Sequence, residues 1–139
     1  MSDPPVGQSS GTSPGALELL AHCRTLVNSN DWASSFWWGR GAAVLARQAI
    51  ELSLDEFWAQ RAMPMMIAST RGQFLGLRLY YVDPESTSDG YVTWALLSRA
   101  CHHHPYELQP TRDEVLGWVE AAERFYHVLQ AGSHDVVGR

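Results

Sequence analysis

Lysine is absent from this 139-residue chain: all ten basic side chains are arginines. Every fixed cation is therefore a guanidinium, whose planar fork can hold a phosphate through two donors. Biased composition accounts for the same pattern without any function. Cysteine is scarce, with only Cys23 and Cys101. Two thiols argue against a disulfide framework and read as reduced, cytoplasmic residues. No run of about 18 apolar residues occurs, which argues against a transmembrane helix. The opening MSDPPVGQSSGTSPG has neither the basic start nor the apolar centre of a signal peptide. A net charge of −5 speaks against a broad nucleic-acid footprint.

What is present suits one domain with a normal core: 45% of the residues are hydrophobic. Residues 1–13 are rich in Ser, Gly and Pro and read as a disordered segment. Ser13-Pro14 then resembles a cap with proline in the first turn, opening a helix over 14–28 with Leu19, Cys23 and Leu26 on one side, widened by Leu20 and Val27. The stretch NSNDWASSFWWGRG is a polar connection. From Arg40 a long helix follows, whose apolar stripe of Ala42, Leu45, Ala46, Ala49, Ile50, Leu52 and Leu54 is wide enough to meet neighbours on two sides. Met63-Pro64 breaks the chain. Residues 65–82 alternate like a strand at Leu75, Leu77 and Leu79 but also repeat like a helix; helix is favoured because no other segment offers a strand to pair with. DPESTSDG forms a turn and a helix start, and the helix through YVTWALLSRACHHH should turn Val92, Ala95 and Leu96 inward, ending near His104 because Pro105 disfavours helical geometry there. Thr111 with Glu114 makes a capping box for a last helix over about 112–131, burying Val115, Trp118, Val119, Ala122, Tyr126 and Leu129. Gly132 closes it, leaving 132–139 as a flexible tail. The expectation is an all-α, up-and-down bundle of four to five helices over 14–131.

The chemistry-bearing stretch is SRACHHHPYEL. On a helix Arg99 shares a side with His102 and His103, and Pro105 can loosen the turn to bring His104 round. A purely structural role is open, since imidazolium is favoured at a helix C-terminus by about 0.3–1 kcal/mol. A metal site is also open. Three consecutive histidines splay around a helix, however, so His22, Cys23 or Cys101 would have to complete the set. The third possibility is RNA cleavage, where the 2′-hydroxyl is the nucleophile. Histidine then supplies a base near pH 7, and arginine a fixed cation for the charge growing on phosphorus.

RACHHHPY, an arginine, four residues, a histidine, one residue and a tyrosine, resembles the R-x4–6-H-x-Y signature of HEPN-domain proteins, which are small helical bundles. The resemblance covers about residues 14–131 and places the motif at the end of a late helix. It implies a metal-independent endoribonuclease with no cofactor, often the toxin of a toxin–antitoxin or phage-defence pair. Arg99 would stabilise the reacting phosphate. His104, with His103 as a second candidate, would act as general base or acid in a transesterification leaving a 2′,3′-cyclic phosphate. The resemblance further implies a homodimer that juxtaposes two motifs, RNA as partner, and a nucleotidyltransferase antitoxin that modifies Tyr106. Where the family often has a polar residue after the arginine, this chain has Ala100; His102 or His103 can stand in for it. A non-catalytic HEPN-like module that binds a protein or nucleic-acid partner is the alternative.

Trp37 and Trp38 can stack bases but fit bundle-end or dimer packing better. Met63, Met65 and Met66 suit an adaptable core or partner surface. Arg40, Arg47 and Arg112 are possible phosphate contacts whose simpler role is solvated surface. Cys101 reads as a buried thiol.

Overall fold

The computed structural model describes residues 14–29, 38–61, 65, 68–80, 82–102 and 110–135, with no side-chain description at 38 or 133–135. Among the described residues the chain is helical with no strand: α1 is Ala16–Asn28, α2 Trp38–Gln60, α3 Thr70–Leu77, α4 Pro84–Cys101 and α5 Arg112–Asp135, and the 3-10 turn Arg78–Tyr80 extends α3.

Contacts at both ends of the helices fix their directions. The Ala16 N–H donates to Glu56 Oε1 at 3.1 Å, and the Cys23 thiol lies 3.6 Å from the Ala42 carbonyl, so α1 and α2 run antiparallel. Trp94 of α4 reaches Glu51, while Cys101, further along α4, faces Arg47 and Arg40, so α2 and α4 are also antiparallel. Arg61 at the end of α2 donates to the Gly132 carbonyl at 3.1 Å, which sets α5 parallel to α2. The result is an up-down-up-down bundle of α1, α2, α4 and α5, with the short α3 laid against α2 and α4.

The long second helix is the hub because its apolar stripe is wide and its contact residues are small. Ala42, Ala43, Ala46 and Ala49 are fully buried and let neighbouring backbones approach. Ile50, Leu54, Phe57 and Trp58 fill the far half; each such burial contributes about 1.5–3 kcal/mol. Leu19, Leu20, Cys23 and Val27 of α1 close one side, and Val115, Val119, Ala122, Phe125 and Leu129 of α5 another. Leu26, Leu45, Leu52, Trp118 and Tyr126, expected inside, are only half-buried.

Local capping agrees with the sequence at two helix starts. Asp83 caps α4, accepting from Ser86 N–H at 3.0 Å with Pro84 in the first turn. The Thr111 hydroxyl accepts from Glu114 N–H at 3.1 Å and opens α5. Elsewhere the boundaries move. The first helix begins at Ala16, two residues late, with Gly15 as its cap and Glu56 supplying the acceptor that the local chain does not. Ser69, not a residue near 65, caps α3, its hydroxyl accepting from Gly72 N–H. The fourth helix stops at Cys101 rather than near His104, because His102 takes an extended backbone with its N–H on the Arg99 carbonyl. The last helix continues through Gly132 to Asp135, since the Gly132 carbonyl has the Arg61 guanidinium as its partner.

One orientation differs from the sequence reading. Val92, Ala95 and Leu96 do not face the core: all three are exposed, Val92 by 52% and Leu96 by 43%. The inward face of α4 carries Thr87, Gly90, Thr93 and Leu97 instead. Phe125 decides this. Its ring occupies the space beside Gly90, so that a Cβ there would meet its Cε2 at 2.7 Å. The two threonines satisfy their hydroxyls locally, on the Asp83 and Asp89 carbonyls, and so are buried without an unpaired donor.

Candidate functional site

The rotation of α4 determines what surrounds Arg99. With Thr87, Gly90 and Leu97 inward, Arg99 is exposed on the outer side of the last turn, in line with Val92 and Ala95. His102 follows three residues later and is also exposed. Successive helical residues turn by about 100°, so positions three apart stay within about 60° of one another. A guanidinium and an imidazole therefore sit on one side of the helix end. The carbonyl ends of the terminal turn favour positive charge there. His103, His104 and Tyr106 lie outside the described residues, as do Trp37, Met63 and Met66.

The opposite side of the same turn holds a second group of charges. Cys101 is half-buried against α2, and burial pushes its thiol above the ordinary value while Arg47 and Arg40 draw it back. Arg47 is held there by Glu51, whose Oε1 accepts from Arg47 Nε at 3.2 Å and from the Trp94 indole at 3.2 Å. One carboxylate oxygen thus ties the middle of α2 to α4 and holds a guanidinium near the end of the motif helix. Sequence reading placed Arg40 and Arg47 on open surface. The signal for their real position was the seven-residue spacing of Trp94 and Cys101, which sets both on the α4 face that meets α2.

The up-down-up-down topology brings further cations to this end. Helices α2 and α5 both begin where α4 finishes, so Arg40 and Arg112 stand in first turns beside the terminus that carries Arg99 and His102. The partial positive charge of these two N-termini is offset by the C-termini of α1 and α4 at the same end, so the side chains carry the local charge. Asp113 and Glu114 are the opposing charges in the first turn of α5. Despite a net charge of −5 for the chain, this end of the bundle is locally rich in cations and suited to an anion.

No family model, curated protein or solved structure matches this chain. The chemistry of the site therefore rests on its own residues. Ala100, the residue after Arg99, is half-buried against the core. A polar group there would be partly desolvated, so apolar packing at that position follows from the rotation of α4. Among the described residues no three His, Cys, Asp or Glu side chains are grouped to hold a metal. His22 is exposed, whereas Cys23 is fully buried, its thiol pushed up to about 12 first by burial and then by the nearby Glu123 carboxylate. Ligation needs a thiolate, which that environment strongly disfavours. No helix of the described residues is long and apolar enough to cross a membrane.

Proposed function

We propose that this protein is a HEPN-type, metal-independent endoribonuclease acting as the toxin of a toxin–antitoxin or phage-defence pair. The observation that carries the reading is the exposed Arg99–His102 pair at the C-terminal turn of the fourth helix of a bundle, with Arg40, Arg47 and Arg112 gathered at the same end.

Arg99 holds the scissile phosphate and takes up charge as the phosphorane forms. A histidine of the run, His104 or His103, removes the proton from the 2′-hydroxyl, and an imidazolium returns one to the departing 5′-oxygen. His102, beside Arg99, supplies the polar contact that Ala100 lacks. The products are a 2′,3′-cyclic phosphate and a 5′-hydroxyl. Exposed Leu96 next to Arg99 supports pairing with a second copy, which would place two such pairs in one groove. Modification of Tyr106 by a nucleotidyltransferase would add a phosphate that occupies the cations and silences them.

The test is cleavage of RNA in EDTA by wild type, Arg99→Ala and His104→Ala, with the product ends identified. Cyclic-phosphate ends that vanish in both variants are expected; identical cleavage by all three would assign the activity to a contaminant.

The half-buried Ala100 supports a second reading, a non-catalytic HEPN-like module that binds a protein or nucleic-acid partner. It requires that induced wild type be harmless and that cellular RNA carry no new cyclic-phosphate ends. Growth arrest abolished by His104→Ala would overturn it.

A further inference from the structure

A second feature lies three turns earlier on α4. Helices α3 and α4 leave between them a slot of about 220 Å³ lined by Arg71, Phe74, Leu75, Arg78, Thr87, Ser88 and Tyr91. Arg71 and Arg78 are seven residues apart, two turns of helix, so both project from the same face with Leu75 between them. Both arginines are exposed, and Leu75 is 60% exposed. The back wall is aromatic: Tyr91 meets Phe74 edge to face at 5.5 Å and packs on Trp94 at 5.9 Å, which holds its ring in place. Ser88 adds an exposed hydroxyl at the rim.

The charge of the slot sets it apart from its neighbours. The cavity between α4 and α5 sets Asp83, Glu85 and Asp89 against Arg124 and His127, and that between α1 and α2 has Glu51 and Asp55 in its lining. Among the described residues that line it, the α3–α4 slot has no carboxylate and two guanidiniums, two turns apart along an apolar, aromatic interior. A flat ring carrying phosphate on either side matches that combination: the ring enters between Tyr91 and Leu75, and the phosphates meet the arginines. An acidic peptide would satisfy the cations but leave the aromatic wall without a partner.

The slot also shares a side of α4 with the motif. Ser88, Val92, Ala95, Arg99 and His102 recur at alternating four- and three-residue steps, which keeps them in one row along the helix. Val92 and Ala95, both exposed, lie between the two positions with no charge of either sign. Ser88 and Arg99 are eleven residues apart, about 16 Å along the axis.

We infer that the α3–α4 slot is a nucleotide subsite that binds a base of single-stranded RNA a few residues away from the phosphate at Arg99, with Arg71 and Arg78 on the flanking phosphates. The assignment of the ligand as RNA rests on the ribonuclease reading; the slot itself does not. The subsite gives the enzyme a preference for unpaired substrate, because a base in the slot cannot be paired.

The experiment separates binding from cleavage. A fluorescent 2′-O-methyl oligonucleotide of about ten residues, which has no free nucleophile, is titrated against wild type, Arg71→Ala/Arg78→Ala and Leu75→Glu. Each substituted side chain is exposed, and circular dichroism checks that the helices persist. Binding should weaken about tenfold or more in both variants. The salt dependence of log K should flatten by about 1.4 in the double variant, roughly 0.7 for each single-strand phosphate that an arginine no longer neutralises. With cleavable RNA the double variant should raise KM and leave kcat unchanged. Unaltered affinity in the variants, with wild type still cleaving, overturns the subsite and spares the nuclease. Arginine-dependent binding without cleavage by wild type supports the subsite and rejects the nuclease. Polyglutamate that competes as well as the oligonucleotide overturns the nucleotide assignment in favour of an acidic protein partner.

Discussion

The Phe125 ring of α5 takes the place of the side chain that Gly90 of α4 does not have: its Cε2 and Cγ stand 2.7 and 2.9 Å from where a Cβ would be. That contact sets the rotation of α4. It turns Val92 and Leu96 to the surface and carries Arg99 out with them.

Gly90→Ala should therefore destabilise the fold although alanine is the better helix former. Overpacking costs about 1–3 kcal/mol, against roughly 1 kcal/mol regained in helix propensity. Because a Cβ would meet three atoms of the ring, the cost lies in the upper part of that range, and the net loss expected in urea unfolding is about 1–2 kcal/mol. Adding Phe125→Leu should recover part of it. If Gly90→Ala is neutral or stabilising, the close approach of α4 and α5 is wrong.

Arg61 joins the ends of α2 and α5. Its guanidinium donates to the Phe57 carbonyl at 3.2 Å and the Gly132 carbonyl at 3.1 Å, and it stacks 3.6 Å from the Phe57 ring centroid. Arg61→Ala should cost about 2–3 kcal/mol by denaturant titration, less than the roughly 3.5 kcal/mol or more that two charge-assisted bonds and a ring contact would sum to, because water still reaches the guanidinium. Arg61→Lys should rescue little, because an ammonium cannot fork to both carbonyls while lying flat on the ring.

The two thiols should differ sharply in reactivity. Cys23 is raised from 9.0 to about 12, so near pH 8 its thiolate is about a thousandfold rarer than that of a free thiol, before lack of access is counted. Native protein treated with iodoacetamide should label at Cys101 alone, and at both after denaturation. The same shift links to stability. Between pH 9.0 and 12 the unfolded chain releases a proton that the folded one keeps, so stability falls as pH rises through that window. The slope from one such group is at most about 1.4 kcal/mol per pH unit. Cys23→Ala should make the alkaline limb shallower; an unchanged limb would assign the loss to other groups.

Asp55 carries the opposite kind of burden to a stabilising carboxylate. Partial burial raises it above 3.8, the Gln73 bond partly opposes this, and the Glu51 and Glu56 charges add to the rise. A carboxyl raised in the fold is fully tolerated below its unfolded value and becomes unfavourable as pH climbs past it. Asp55→Asn should then stabilise the protein at pH 7, by less than about 1 kcal/mol because water still reaches the group. The gain should disappear below pH 3.8. A thermal melt at the two pH values reads the difference, and a variant less stable at pH 7 would refute this account.

If a second copy covers the Leu96 side of α4, beside the row of Ser88, Val92, Ala95 and Arg99, Leu96→Glu should leave the monomer fold intact, within about 0.5 kcal/mol, because the side chain is exposed. It should nonetheless dissociate the dimer and abolish cleavage in light-scattering and activity assays run together. Full activity from a monomeric variant would remove the partner copy from the mechanism.

The helices and two of their starts were legible because both are local. The apolar stripe from Ala42 to Leu54, the Thr111–Glu114 start of α5 and the Asp83-Pro84 start of α4 need only near neighbours along the chain. The exposed Arg99 and His102 were legible as a spacing, and their pairing on one side of a helix end follows from helical geometry. The segment 65–82 was ambiguous because its leucines fit both periods; Ser69 and the bundle around it select a helix.

Sequence alone thus determined an all-helical chain with a chemically distinctive helix end, since secondary structure follows from short-range periodicity. Tertiary structure decided which face of α4 is outside, that Arg47 is held by Glu51 and Trp94, and that Arg71 and Arg78 flank an aromatic slot. Those outcomes depend on a glycine meeting a phenylalanine thirty-five positions away, a distance over which no pattern of hydrophobicity carries information.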